Sequence, residues 1–253
     1  MNQLKKDIVN WIKTWFKENG DETTSAVIGI SGGKDSSVVA ALCVEALGKD
    51  RVLGVLMPCG NQSDIEDSYQ LVNHLGIKYV EVDIGDMYNT SIQSIEKSIG
   101  PLVNDLVKGN LQARLRMSTL YAVSQEFGGR VSNNCNASER FVGYFTLFGD
   151  DAGDFAPISS LQSDVVMKLG EELGIPSELA NKVPIDGLAN NESNEVSLTD
   201  EDVMGFSYAQ LNEYMRTSKV KNDKFAEEKI RELHERSSFK RKLPRIPHFV
   251  YED

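Results

Sequence analysis

Apolar positions along the chain follow two periods, and the switches between them mark out the elements. Leu4, Ile8, Trp11, Ile12 and Trp15 recur at helical spacing, so Asn2 to Lys17 is expected to form an amphipathic helix packed through one stripe. After Gly20 and the polar run Asp21 to Ser25, the unbroken apolar segment Ala26 to Ile30 reads as a buried strand. A helix from Ser36 to Leu47 follows, with Val38, Val39, Ala41, Leu42, Val44 and Leu47 on its apolar face. Val52 to Met57 makes a second strand.

Strand, helix and strand in so short a span require a crossover, which implies a parallel pair with a right-handed connection. Ser63 then opens a helix containing Asp67 and Leu71, and Tyr79 to Val82 makes a third strand. Asp86 to Phe127 reads as mostly helical. It is broken at Gly100-Pro101, with Leu102, Leu106, Leu111, Leu115, Leu120 and Val123 as its apolar positions. The alternation predicts an α/β fold, a doubly wound parallel sheet flanked by helices. A chain of 253 residues fits one large domain, and no internal repeat or composition shift marks a second.

Between the first strand and its helix lies Gly29-Ile30-Ser31-Gly32-Gly33-Lys34-Asp35-Ser36-Ser37. Paired glycines let a backbone curl around an anion, and a helix N-terminus at the carboxyl edge of a parallel sheet suits phosphate. A P-loop would need glycine at Ile28 and Ser or Thr at Asp35, and the dinucleotide fingerprint would need glycine at Ser31. Both fail on those residues. An ordinary strand-to-helix turn, with Asp35 favoured by the helix dipole, is the plainer reading of the glycines alone.

A net charge of -11 argues against a general nucleic-acid or polybasic membrane binder, so a bound polyphosphate must rely on local donors and metal. Cys43, Cys59 and Cys135 are odd in number without metal-ligand spacing, which reads as reduced thiols in a cytosolic protein. Charged residues interrupt the N-terminal apolar positions, leaving no signal-peptide core, and no later run reaches membrane-spanning length. Pro184 to Glu201 turns polar and acidic, as a surface loop or lid would, and Thr199 with Asp202 forms a capping box. Lys240-Arg241-Lys242-Leu243-Pro244-Arg245 is the basic cluster of an acidic chain, either a solvated terminus or an anion-contacting segment.

The pattern Ser31-Gly32-Gly33-x-Asp35-Ser36 resembles the pyrophosphate loop of the ATP pyrophosphatases, whose sheet is of the adenine nucleotide alpha hydrolase-like kind. Asn110-Leu111-Gln112-Ala113-Arg114-Leu115-Arg116-Met117 is similar to the signature helix of the NAD synthetases. So is Gly143-Tyr144-Phe145-Thr146-x-Phe148-Gly149-Asp150 with Asp154, Pro157 and Leu161. Lys182-x-Pro184, the Asp200 to Leu211 segment and Phe239-Lys240-Arg241 fall in the same family's order, so the resemblance covers nearly the whole chain.

That resemblance implies a two-step amidation. The nicotinate carboxylate of deamido-NAD attacks the α-phosphate of ATP, and ammonia then displaces AMP to give NAD. It places Gly29, Ile30, Ser31, Gly32, Gly33, Lys34, Asp35, Ser36, Met57, Asn134, Ser163 and Ile185 at ATP. It also places Asp35 and Glu139 on magnesium, and Arg114, Leu147, Asp154, Phe239 and Lys240 at deamido-NAD. Free ammonia is the expected nitrogen donor, because the length leaves no room for the amidase domain of glutamine-using members. A homodimer is implied too, with the stripes of Asn2 to Lys17 and Leu111 to Val123 as candidate surfaces.

Four positions depart from the family pattern. Asn134 and Ile185 stand where threonines are expected, and Leu147 and Ser163 where lysines are. A lost lysine–phosphate contact is worth about 1.5 to 3 kcal/mol, and Lys34 is positioned in the loop to replace one charge. Two rivals follow, a paralogue amidating another carboxylate and a nucleotide-binding sensor that has lost turnover.

Overall fold

A computed structural model describes residues 1–60, 65–182 and 199–242. Strands β1 (Ala26–Gly29), β2 (Val52–Leu56), β3 (Lys78–Glu81) and β4 (Arg130–Val131) form a parallel sheet in the order β3-β2-β1-β4. Ala26 faces Val52 on one side and Arg130 on the other, and Leu53 faces Lys78. The order reverses at β1, which puts the end of that strand at the switch point where open α/β sheets bind ligands.

Helices α1 (Asn2–Asn19), α2 (Lys34–Leu47), α3 (Ile65–Leu75), α4 (Gly85–Ile99) and α5 (Asp105–Glu126) precede β4 or connect the strands. After β4 come α6 (Ala137–Val142), α7 (Ser163–Glu172), α8 (Ser177–Ala180), α9 (Asp200–Met204), α10 (Tyr208–Thr217) and α11 (Lys224–Arg236). Alternate residues of β1 feed opposite faces of the sheet. Ala26 and Ile28 join the layer of α1, α2 and α7, while Val27 packs with Leu120 of α5. A third apolar cluster ties Val142 of α6 to Leu211 of α10 and Ile230 of α11, so the C-terminal helices pack on α6.

The expected elements fall where the periodicity put them, with small shifts at their ends: α2 starts at Lys34, and β3 covers Lys78–Glu81. The capping box of Thr199 and Asp202 is present, so the end of the polar Pro184 to Glu201 stretch is helix cap and first turn. The rest of that stretch, Ser63 and the tail beyond Lys242 lie outside the described residues. The stripe of α1 is spent inside the chain: Ile8, Val9, Ile12 and Phe16 are buried, and Trp15 stacks on Phe155 with ring centroids 5.2 Å apart. Trp11 instead stands out of the core as an exposed aromatic. No helix among the described residues is long and apolar enough to cross a membrane.

Candidate active site

The loop after β1 remains tied to the sheet as it leaves it. The Ile30 N–H donates to Val55 O (3.0 Å), and Ser68 Oγ donates to Ile30 O (3.2 Å). Gly32 then adopts φ +70, where a Cβ would lie 2.6 Å from Asp67 Cβ and 2.9 Å from the Ser68 amide nitrogen. Both the dihedral and the space admit only glycine. Ser31 and Ser36 hydroxyls meet at 3.1 Å, Ser31 Oγ accepts from the Gly33 N–H, and Ser36 and Ser37 hydroxyls both donate to Gly33 O. Gly33 at the N-cap of α2 makes no side-chain cap hydrogen bond, so among the described residues the start of the helix is left open to an anion.

Two carboxylates are mounted beside this loop on one asparagine. Asn136 Nδ2 donates to Asp35 Oδ1 (3.0 Å), and Asn136 Oδ1 accepts from the Ser138 and Glu139 N–H groups at the start of α6. Glu139 Oε2 closes the capping box by accepting from the Asn136 N–H (3.1 Å). Burial, then repulsion from Asp35, pushes the Glu139 carboxyl well above the usual range, against the pull of Lys34 and the Asn136 N–H. Such a crowded pair of hard oxygen donors suits magnesium, which takes one or two carboxylates and completes its shell with phosphate and water.

Lys34 reaches into the same place. Its Nζ lies 2.8 Å from Asp35 Oδ2 and 5.3 Å from the centre of the Tyr208 ring. Burial alone would lower its pKa, but Asp35, Glu139 and Asp200 outweigh burial and hold it above the ordinary value. Asp200 is itself buried and accepts from the Tyr144 and Tyr208 hydroxyls (3.2 and 3.1 Å).

The next residue of α6 turns to a second hollow. Arg140, Leu147, Phe148, Asp151, Ala152, Lys240 and Arg241 line a cavity of about 230 Å³. Arg140 pairs with Asp151, and Lys240 Nζ donates to Gly143 O (2.8 Å) and Phe145 O (2.6 Å) while lying 4.8 Å from the Phe145 ring centre. The basic tail is therefore folded back onto carbonyls at Lys240. Gly143 ends α6 at φ +71, and a Cβ there would fall 2.1 Å from Ser237 Cβ, so glycine lets the C-terminal segment close on this hollow.

The remaining sequence-predicted residues divide between these two places and the scaffold around them. Arg114 Nε donates to Leu147 O (3.1 Å), and Phe239 is exposed beside Lys240. Asp154 accepts from the Val131 N–H (2.7 Å) and the Tyr121 hydroxyl (3.2 Å), and burial, then the Asp154 charge, pushes the Tyr121 phenol up to about 12. Met57 is buried, and its carbonyl accepts from Arg116 Nε (3.0 Å). Asn134 donates to Gly29 O (3.2 Å) and accepts from Ser132 Oγ (2.8 Å), bracing the end of β1. Ile185 lies outside the described residues.

Ser163 sits in a buried polar knot that the sequence did not announce. Ser138 Oγ donates to Asn212 Oδ1 (2.6 Å) and accepts from the Ser163 N–H (3.0 Å), and Asn212 Nδ2 donates to Ser163 Oγ (3.0 Å). The knot joins α6, α7 and α10. Replacing Asn212 with Ala strands two buried hydroxyls, so the urea midpoint should fall by an amount worth about 1–3 kcal/mol. An unchanged midpoint would refute the bracing role.

Residues 4–244 match the family model described as NAD synthase. The chain belongs to the NAD synthase family. The NH(3)-dependent NAD(+) synthetase of Finegoldia magna is 35% identical over 239 residues, covering 94% of each chain. Among solved structures, the NMN synthetase of Francisella tularensis superposes with a TM-score of 0.86 at 33% identity, over 98% of both chains. The NH3-dependent NAD synthetase of Campylobacter jejuni superposes with a TM-score of 0.76 at 27% identity, again over 98% of both. As a member of the NAD synthase family, the chain is a carbon–nitrogen ligase, built on the fold its periodicity predicts.

Proposed function

We propose that this family member joins free ammonia to the nicotinate carboxylate of deamido-NAD at the expense of ATP, forming NAD, AMP and pyrophosphate. A carboxylate oxygen attacks the α-phosphorus and the bond to the β-phosphate bridge breaks. Ammonia then adds to the acyl carbon, AMP leaves with the former carboxylate oxygen, and the ammonium proton passes to solvent. The observation that carries this reading is the Ser31–Ser36 loop at the end of β1 facing Asp35 and Glu139. Its N–H groups and hydroxyls would hold pyrophosphate in line with the attacking oxygen. Magnesium held by Asp35 and Glu139 would neutralise charge on the departing group.

The acid would reach the hollow lined by Arg140, Leu147 and Lys240, with Arg114 bonded to the Leu147 carbonyl beside it, and the family resemblance adds Asp154 and Phe239 to its contacts. A second acid, nicotinate mononucleotide, is favoured by one specific observation: the likeness to an NMN synthetase at 33% identity, joined to Leu147 where the family pattern has lysine. Release of AMP from ATP, magnesium and ammonium, measured with each acid and with none, decides between them. AMP with NAD supports the dinucleotide, AMP with the mononucleotide amide supports the second acid, and AMP with neither defeats both.

The reading extends to one continuous catalytic domain working as a cytoplasmic homodimer. With most of the α1 stripe turned into the core, the α4–α5 corner is the better candidate surface, because Ile99, Val103, Leu106 and Val107 stand exposed there.

A further inference from the structure

A lysine in the first turn of a helix is placed against the dipole, where carboxylates are favoured and cations are not. Lys34 holds exactly that position in α2, yet its side chain is only 5% exposed and turns inward. What it meets there is a cation cage: Asp35 Oδ2 at 2.8 Å, the Tyr208 ring at 5.3 Å, and the field of Glu139 and Asp200. Asp35 and Glu139 are the carboxylates read above as the magnesium pair. Two cations would then compete for one position.

We propose that the Lys34 ammonium is a resident counter-ion for the Asp35–Glu139 pair, filling the cation position in the nucleotide-free protein and giving it up when a divalent cation arrives with ATP. The stem of lysine is long and flexible, and the ammonium is a compact charge that can be re-aimed. Lys34 directly follows Gly33 in the phosphate loop, so a displaced ammonium has pyrophosphate oxygens within a short swing. The exchange would match two cations to two anionic places. It would also restore at the phosphates a positive charge that Ser163 does not carry. In the free protein the same contact suppresses repulsion between the two carboxylates.

This inference rests on Asp35 and Glu139 being the metal pair, and the test separates the two ideas. Manganese, as a spectroscopic probe of the divalent site, is titrated into the nucleotide-free full chain as wild type, Lys34→Met and Lys34→Gln. Both variants should bind it at least about tenfold more tightly, a difference of about 1.4 kcal/mol or more. Their unfolding midpoints in chelator should be lower than wild type and should rise more on adding manganese. Adding Asp35→Asn to Lys34→Gln should abolish the gain. A merely structural ion pair would change the midpoint without changing manganese affinity. Equal or weaker binding by the variants would overturn the counter-ion role alone, whereas no binding by any protein would overturn the metal pair and this inference with it. The glutamine variant keeps a polar group in the cage should methionine fail to fold.

Discussion

Asp35→Asn is expected to abolish magnesium-dependent turnover while leaving the chain folded. The carboxamide has the shape of the carboxylate, and its oxygen can still accept from Asn136 Nδ2, so the link to α6 survives. What disappears is one of two charges that the metal and Lys34 both require. Pyrophosphate release under saturating magnesium should fall by about 10²-fold or more, roughly 2.7 kcal/mol of transition-state stabilisation. Circular dichroism should remain that of the wild type. Activity within about tenfold of wild type would remove Asp35 from the metal site.

The second large effect belongs to Gly32→Ala. Holding an L-residue at φ +70 costs about 1–2 kcal/mol, and the new Cβ would also have to move Asp67 and the backbone of Ser68. If the loop carries the phosphate donors as proposed, KM for ATP should rise at least about tenfold as the unfolding midpoint drops. Gly48→Ala supplies the control. Its φ is +81 but nothing lies within 4 Å of the added carbon, so it should lower the midpoint and leave KM alone. Similar KM values for the two variants would show that the crowding at Gly32 is not what shapes the phosphate loop.

Local patterns were legible because their physics is local. The glycine loop, the strand and helix on either side of it, the break at Gly100 and the Thr199 capping box each depend on residues a few positions apart. The two-residue β4 escaped notice because so short a strand has no period of its own, and it exists through pairing with β1. The α1 stripe reads first as a core face, and the structure buries it as one; a second use against a partner stays open in the sequence, since amphipathicity fixes which face is buried and not against what. Ser163 looked like a simple loss of charge, because nothing near it in sequence reveals Ser138 and Asn212. Nor does the sequence reveal that the Asn134 amide is engaged by the protein at both ends. The inward turn of Lys34 depends on Tyr208 and Asp200, which arrive from the far end of the chain.

Glu139 and Arg140 are neighbours on a helix of six residues, one beside the phosphate loop and the other in the wall of the second hollow. A helix advances about 1.5 Å per residue, so if the phosphate loop activates and the second hollow recognises the acid, the spacing between the two is set by covalent geometry. Asn136 pins that gauge at its start and the Gly143–Ser237 contact pins it at its finish. On the proposed reading, acids of different length would be accommodated at the far wall, by Leu147 and Phe148, while the gauge stays fixed. Lineages that changed acid would show it as drift in that wall, with the stretch from Asn136 to Gly143 held still.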